Sequence, residues 1–323
     1  MNSATTPLLH SLLRDRWIQG ALLGACALSV AVALLSSGAR NGDAVEHLER
    51  ATDLARGLEL GAEATRSPLL ALLLAAARLA LDAIGWRGAL ALRVVGEGFA
   101  AVCSAGALLG GAALAQAYGG RRAARIAAWI IASSPVFAAW SYEVTSAPLA
   151  TAALLWGAAG LAQARTARGA LTAGAVLGLA IAAKYQVVFL APLVLVLPAA
   201  PGVGLRRRHA LAAATMTFSA VAISGLADAC AYRAPWSTSA TYLRANALPP
   251  IYALLHPLLP EDARLAVHAA LFDVEAGPAI REGLPLARRK PLGWYLTELP
   301  AWLPLSWLAL ACAGGLAWIT RAR

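Results

Sequence analysis

A chain of 323 residues, 59% hydrophobic and only 14% charged, holds more apolar surface than one soluble core of this size can bury. Mean hydropathy is +0.64, and the formal charge is +10 with a pI of about 10.1. Those values exclude an ordinary cytosolic enzyme, a secreted disulfide scaffold and a disordered chain, and predict an all-α, polytopic transmembrane helix bundle.

The first apolar run, 17–35, follows Arg14 and Arg16. It exceeds the about 7–15 residues of a signal-peptide core, so it is expected to be an uncleaved anchor with a cytosolic N-terminus. Further runs fall near 68–84, 94–118, 123–140, 147–164, 170–183, 187–197, 210–227 and 296–319. Eight or nine spans are expected, in a single integral membrane domain over 1–323. Arg121, Arg122 and Arg125, then Arg165 and Arg168, Arg206–Arg208, and Arg321 and Arg323 mark cytosolic turns by the positive-inside rule. Alternation places 37–66, 141–146 and 228–295 outside. Two full spans between Arg66 and Gly119 would put Arg121 on the wrong face, so 68–84, which carries Arg78 and Asp82, is expected to lie in the interface. Cys26, Cys103 and Cys312 lie within apolar runs and Cys230 at the edge of one, without metal or redox spacing.

The carboxylates are distributed unevenly. Of 17 acidic residues, six fall in 43–63 and six in 261–298, both outer segments. Segment 43–58 has helical spacing: Asp43, Glu46, His47, Arg50 and Asp53 share one face, expected toward water, and Val45, Leu48, Thr52 and Ala55 the other. That pattern suits a helix lying flat on a membrane, its carboxylates available for proton transfer. The next helix is expected after Arg66, with Ser67 as N-cap and Pro68 at its first position.

One stretch reads Gly42-Asp43-x-x-Glu46-His47-x-Glu49-x-Ala51, with Gly57, Glu63 and Arg66-Ser67-Pro68-Leu69. It resembles the first outer loop of C-type-fold membrane glycosyltransferases, most closely the polyprenyl- or dolichyl-phosphate-mannose-dependent mannosyltransferases. Ser134-Pro135 and Ser141-Tyr142-Glu143 resemble an outer serine-rich turn of that family. Asp228-x-x-x-Tyr232-x-x-Pro235-Trp236 with Tyr242-Leu243-x-x-Asn246, and Pro291-x-x-Trp294-Tyr295-Leu296-x-x-x-Leu299-Pro300, continue the order through residue 300. Arg233 stands where the family usually has Gly.

The resemblance implies transfer of a mannose-like hexose from a polyprenyl-phosphate donor to a lipid, glycan or protein acceptor, with inversion. Membrane lipids are the other expected partner, and nucleic acid is not one. It implies Asp43, with Glu46, as the catalytic carboxylates. Substrate contacts are expected from Arg66, His47, Glu143, Lys184, Asp228, Arg233, Tyr242, Asn246 and Tyr295. Metal ligands stay undefined; a divalent cation, Mg or Mn, is an open option, and no cofactor is certain. The Ala/Leu/Arg-rich composition points to a bacterial inner membrane with the site on the periplasmic face. The competing expectation is a non-catalytic membrane protein, either a lipid-carrier transporter or flippase or an inactive relative.

Overall fold

The computed structural model describes residues 5–35, 42–58, 66–190 and 206–246, with residues 60, 194, 258 and 260. Among the described residues the chain is helical and contains no strand. In chain order the helices are α1 (Thr5–Leu13), α2 (Arg16–Leu35), α3 (Gly42–Ala55), α4 (Leu69–Ala83), α5 (Ala89–Ala132), α6 (Pro135–Trp140), α7 (Ser146–Gln163) and α8 (Ala167–Ala183). A 3-10 turn at Tyr185–Phe189, α9 (Arg206–Tyr232) and α10 (Ser237–Asn246) come next. Two stretches, Ala89–Ala132 and Arg208–Tyr232, are long and apolar enough to cross a membrane, each with a mean hydropathy of 1.7 in its best window. The expected runs at 187–197, for the most part, and at 296–319 lie outside the described residues, as does the outer loop beyond 246 apart from two residues.

The stretch Ala89–Ala132 is a hairpin rather than one rod. Gly120 has φ 69° and ψ −165°, which breaks the helix at a residue that tolerates positive φ. A β-carbon added to Gly111 would meet Ile131 Cδ1 at 2.5 Å. A continuous helix would hold those positions about 30 Å apart. The chain therefore reverses at 119–120, between the runs expected at 94–118 and 123–140. The second of those runs is not one helix. Ser134 caps a new turn by accepting the Phe137 N–H at 3.3 Å, with Pro135 at its first position.

One end of this hairpin is pinned by charge. Asp15 is 1% exposed and takes Arg121 Nε at 2.6 Å and Arg125 Nε at 2.9 Å. Its carboxylate also accepts the Trp17 N–H at 3.0 Å, capping α2. Burial works to raise the Asp15 pKa, but the arginine hydrogen bonds outweigh it and hold it below the ordinary carboxylate value. Further along α2, Trp129 lies over Gly20 and Gly24. At the far end the Ser141 hydroxyl meets Ser29 at 2.5 Å, and the Ser104 hydroxyl donates to the Ser141 carbonyl at 3.1 Å.

Small residues allow the remaining helices to approach closely. Trp156 Nε1 donates to the Gly106 carbonyl at 2.8 Å, and Gln163 Nε2 to the Ala113 carbonyl at 3.3 Å, so α7 runs parallel to the long arm of α5. Gly157 and Gly160 face Leu177 and Ala173, which makes α8 antiparallel to α7. Gly174 and Gly178 then abut Ala212 and the Met216–Ala220 stretch, so α9 runs parallel to α8. A separate cluster joins α3, α4 and the start of α5 through Ala44, Ala51, Leu70, Leu74, Leu92 and Val144.

Two expectations about this region change. The expected polar face of α3 put His47 toward water, whereas His47 is 3% exposed and Val45 is 42% exposed. Ala44 and Ala51, at i and i+7, are small enough to seat α3 on α4, and this rotates His47 inward. Helix α4 starts at Leu69, one residue later than expected. Pro68, expected at the first helical position, is the N-cap residue and has no side-chain cap, while the Ser67 hydroxyl ahead of it accepts the Leu69 N–H at 3.2 Å.

A β-carbon at Gly178 would press on Ser219 Oγ and the Met216 carbonyl, whereas nothing lies within 4 Å of one at Gly98. Gly178→Ala is therefore expected to lower stability by about 1–3 kcal/mol. Gly98→Ala should leave stability unchanged or raise it, as thermal melts of the two purified variants will show.

Candidate functional site

The 37–66 segment and the ends of α8 and α9 supply the polar groups gathered near α3. Arg66 Nη1 lies 2.8 Å from Asp43 Oδ1 and 2.6 Å from Glu46 Oε2. The other oxygen of Glu46 takes Arg50 Nη2 at 2.6 Å, an i,i+4 pair along α3. Asp43, Glu46 and Arg66 are 44%, 36% and 40% exposed in their side chains, so they face an open surface. Asp43 occupies the first turn of α3, where the helix dipole favours a carboxylate.

His47 and Lys184 complete the group. Burial is the main cause that lowers the His47 pKa to about 4; the Arg50 and Arg66 charges add to it and Asp43 opposes it. Lys184 sits at the C-terminal end of α8, where its chain turns into the 3-10 segment. Burial lowers its pKa first; Asp43 works against that and Arg66 with it. The cluster thus sets Arg50, Arg66 and Lys184 against Asp43 and Glu46, with His47 neutral near pH 7. Three buried polar atoms around it have no hydrogen-bond partner: His47 Nδ1, Arg50 Nη1 and the Tyr232 hydroxyl. Tyr232, at the end of α9, is within electrostatic reach of Arg50, Glu46 and Asp228.

Asp228 belongs to an adjoining network. It is fully buried; the Thr238 hydroxyl donates to Oδ1 at 2.5 Å and the Thr238 N–H to Oδ2 at 3.0 Å. The Tyr185 and Thr238 hydroxyls are 2.6 Å apart, and Tyr185 also interacts with Ser67 and Ser224. Tyr242 packs its ring on Tyr185 with centroids 5.5 Å apart. Asp228 and Tyr242 therefore fasten α10 to the 3-10 turn behind the ion-pair cluster.

The remaining expected site residues are placed elsewhere. Glu143 lies beside Glu97, and burial with that neighbouring charge raises its pKa. Glu97 itself is paired with Arg93 at 2.8 Å. Arg233 lies in the turn between α9 and α10 with φ 52°. Asn246 ends α10, and Tyr295 lies outside the described residues. Thr238 is absent from the expected set; its partner Asp228 lies ten positions earlier on another helix, a pairing that no local pattern signals.

Asp43 and Glu46 do not make a divalent-cation site as they stand. Arg66 already takes an oxygen of each, and among the described residues no group of three or more His, Cys, Asp or Glu gathers to hold a metal. The arrangement instead offers a carboxylate at an open surface and an excess of partly desolvated cations behind it.

Protonation of His47 is disfavoured in the folded chain and ordinary in the unfolded one. Stability from this group is complete above about pH 6.5 and is lost as pH falls toward about 4. His47→Gln should flatten that part of the melting temperature against pH curve. Arg233 holds a left-handed backbone that glycine adopts freely. Arg233→Gly is expected to raise stability by about 1 kcal/mol, read from thermal denaturation. No protein-family model matches the chain, and no curated protein or solved structure shows significant similarity to it.

Proposed function

We propose that the chain is an integral membrane glycosyltransferase that moves a hexose from a polyprenyl-phosphate donor to a hydroxyl acceptor at the outer face. The observation that carries this reading is the Arg66 guanidinium shared between Asp43 and Glu46, with Lys184 within electrostatic reach. An inverting transfer from a lipid phosphate needs those two parts. One is a carboxylate open to an acceptor hydroxyl, and the other is a set of cations for the departing phosphate.

In the proposed step the acceptor oxygen attacks the anomeric carbon and its proton passes to Asp43. The bond from that carbon to the phosphate oxygen breaks, and the electron pair leaves on the phosphate. Arg66 and Lys184 stabilise the charge that develops there. Arg66 is suited to exchange, because it is held by two half-exposed carboxylates rather than sealed in a buried pair. His47 Nδ1, Arg50 Nη1 and the Tyr232 hydroxyl lie buried beside the cluster without hydrogen-bond partners, so substrate groups reach them only by displacing the side chains that cover them.

The membrane part of the proposal draws on the hairpin and the charge pattern. Asp15, Arg121 and Arg125 lie at one end of the described bundle. Arg208 Nη1 donates to the Ala164 carbonyl at 2.6 Å, beside Arg165. These are cytosolic turns in the proposed topology. The α3–α4 pair packs near Val144 at the other end, where Gly96 meets Val144 and Leu74. That contact supports an interfacial placement of α4, and the proposal keeps a bundle of eight or nine spans over the full chain.

Asp43→Asn removes the proposed base while keeping side-chain volume. Transfer of labelled sugar from polyprenyl-phosphate donors, measured in membranes, should fall by about 10²–10⁴-fold at normal protein level. Transfer that persists in this variant overturns the mechanism. Absence of transfer by the wild type across donor sugars would favour a lipid-carrier transporter or an inactive relative.

A further inference from the structure

At the opposite end from the ion-pair cluster, a cavity of about 400 Å³ opens between α1, the start of α2 and the tip of the α5 hairpin. Ser11, Leu12, Arg14, Asp15, Ile18, Gln116 and Arg121 line it. Among the described residues of the lining the one carboxylate is Asp15, which is already committed to Arg121 and Arg125. Arg14 and Arg121 line it as well, so cations outnumber carboxylate. A cavity lined this way attracts an anion.

Two more features narrow the ligand. Gln116 lines the cavity and its Oε1 has no hydrogen-bond partner, an acceptor that a ligand hydroxyl or amine satisfies once the side chain turns into the cavity. On α1 and the first turn of α2, close in sequence to the lining residues, Leu9, Leu13 and Trp17 are 36%, 42% and 60% exposed. Apolar side chains with an exposed tryptophan suit the headgroup boundary of a bilayer, whereas a site for a soluble anion has no use for them.

We infer that this cavity binds the headgroup of an anionic phospholipid bearing a free hydroxyl, of the phosphatidylglycerol class, from the cytosolic leaflet. The phosphate meets Arg14 and the exposed side of Arg121, whose side chain is 65% exposed. A headgroup hydroxyl donates to Gln116 Oε1, and the acyl chains run past Leu13 and Trp17. Lipid binding here rests on the proposed membrane placement but not on sugar transfer. Membrane fractionation and the lipid titration therefore fail separately.

The test uses the full chain purified in detergent and titrated with phosphatidylglycerol or phosphatidylcholine. Melting temperature and lipid retained by mass spectrometry are the readouts. Phosphatidylglycerol should stabilise the wild type, and phosphatidylcholine should not. Arg14→Gln should weaken the phosphatidylglycerol effect about five- to tenfold, whereas Arg122→Gln, the same charge change outside the cavity lining, should retain it. Equal losses in the two variants would mean general surface charge and overturn the site. Gln116→Leu, folded as judged by its melt without lipid, should bind phosphatidylglycerol no better than phosphatidic acid. A retained preference overturns the hydroxyl contact. Soluble glycerol phosphate at matched concentration should leave the melt unchanged; stabilisation equal to that of the lipid overturns the lipid assignment.

Discussion

The buried Asp15 carboxylate sets the position of most of the helical bundle. It caps α2 and takes two arginines more than a hundred positions later in the chain. Removing both arginines would leave the buried carboxylate without a partner and out of water, whereas the arginines, 65% and 36% exposed, keep much of their own hydration. With the hairpin tip held at Asp15, Trp129 lies on Gly20 and Gly24, and Ser141 arrives beside Ser29 and Ser104. Ser141 in turn sets the height of Val144, which packs against Gly96 next to Leu74. The seat of α4, and with it Arg66, therefore traces back along the bundle to one carboxylate at the other end.

The second constraint is close approach. Gly157, Gly160, Gly174 and Gly178 bring α7, α8 and α9 together with almost no side chain between them. In a membrane, helices gain little from excluding lipid and associate through such small-residue contacts. The consequence for the site is positional. Lys184 and Tyr185 come directly after α8, and Asp228 and Tyr232 end α9. A tight α8–α9 pair presents all four at one level, where α3 meets them. Tyr185 then joins α4, α9 and α10 through Ser67, Ser224 and Thr238, which leaves little freedom in the wall behind Arg66.

Much of this architecture is legible in the sequence where the signal is local. The helical spacing of 43–58, the Ser67 hydroxyl bond ahead of α4, the Ser134 cap and the reversal between 118 and 123 are properties of neighbouring residues. The Asp43–Glu46–Arg66 grouping is only partly legible. The two carboxylates share a helix face, but Arg66 reaches them across a connection whose path no periodicity describes. Polarity alone assigns His47 to water, yet the alanines on either side decide which face packs. In the sequence Asp15 is one leftover acid among cytosolic arginines. Its partners lie 106 and 110 residues away, and such a pairing emerges only when the chain is folded.

The Gly120 reversal has a consequence for how the chain would enter a membrane. The arm after it, 121–132, extends about 18 Å before Ser133, Ser134 and Pro135 interrupt it. That is short of the ~30 Å hydrocarbon layer. On the proposed membrane reading such an arm would gain nothing from entering the bilayer alone, since that would carry Arg121, Arg122 and Arg125 into lipid. On that reading it would enter together with 89–119 as a hairpin, whose tip the Asp15 carboxylate holds beside the start of α2.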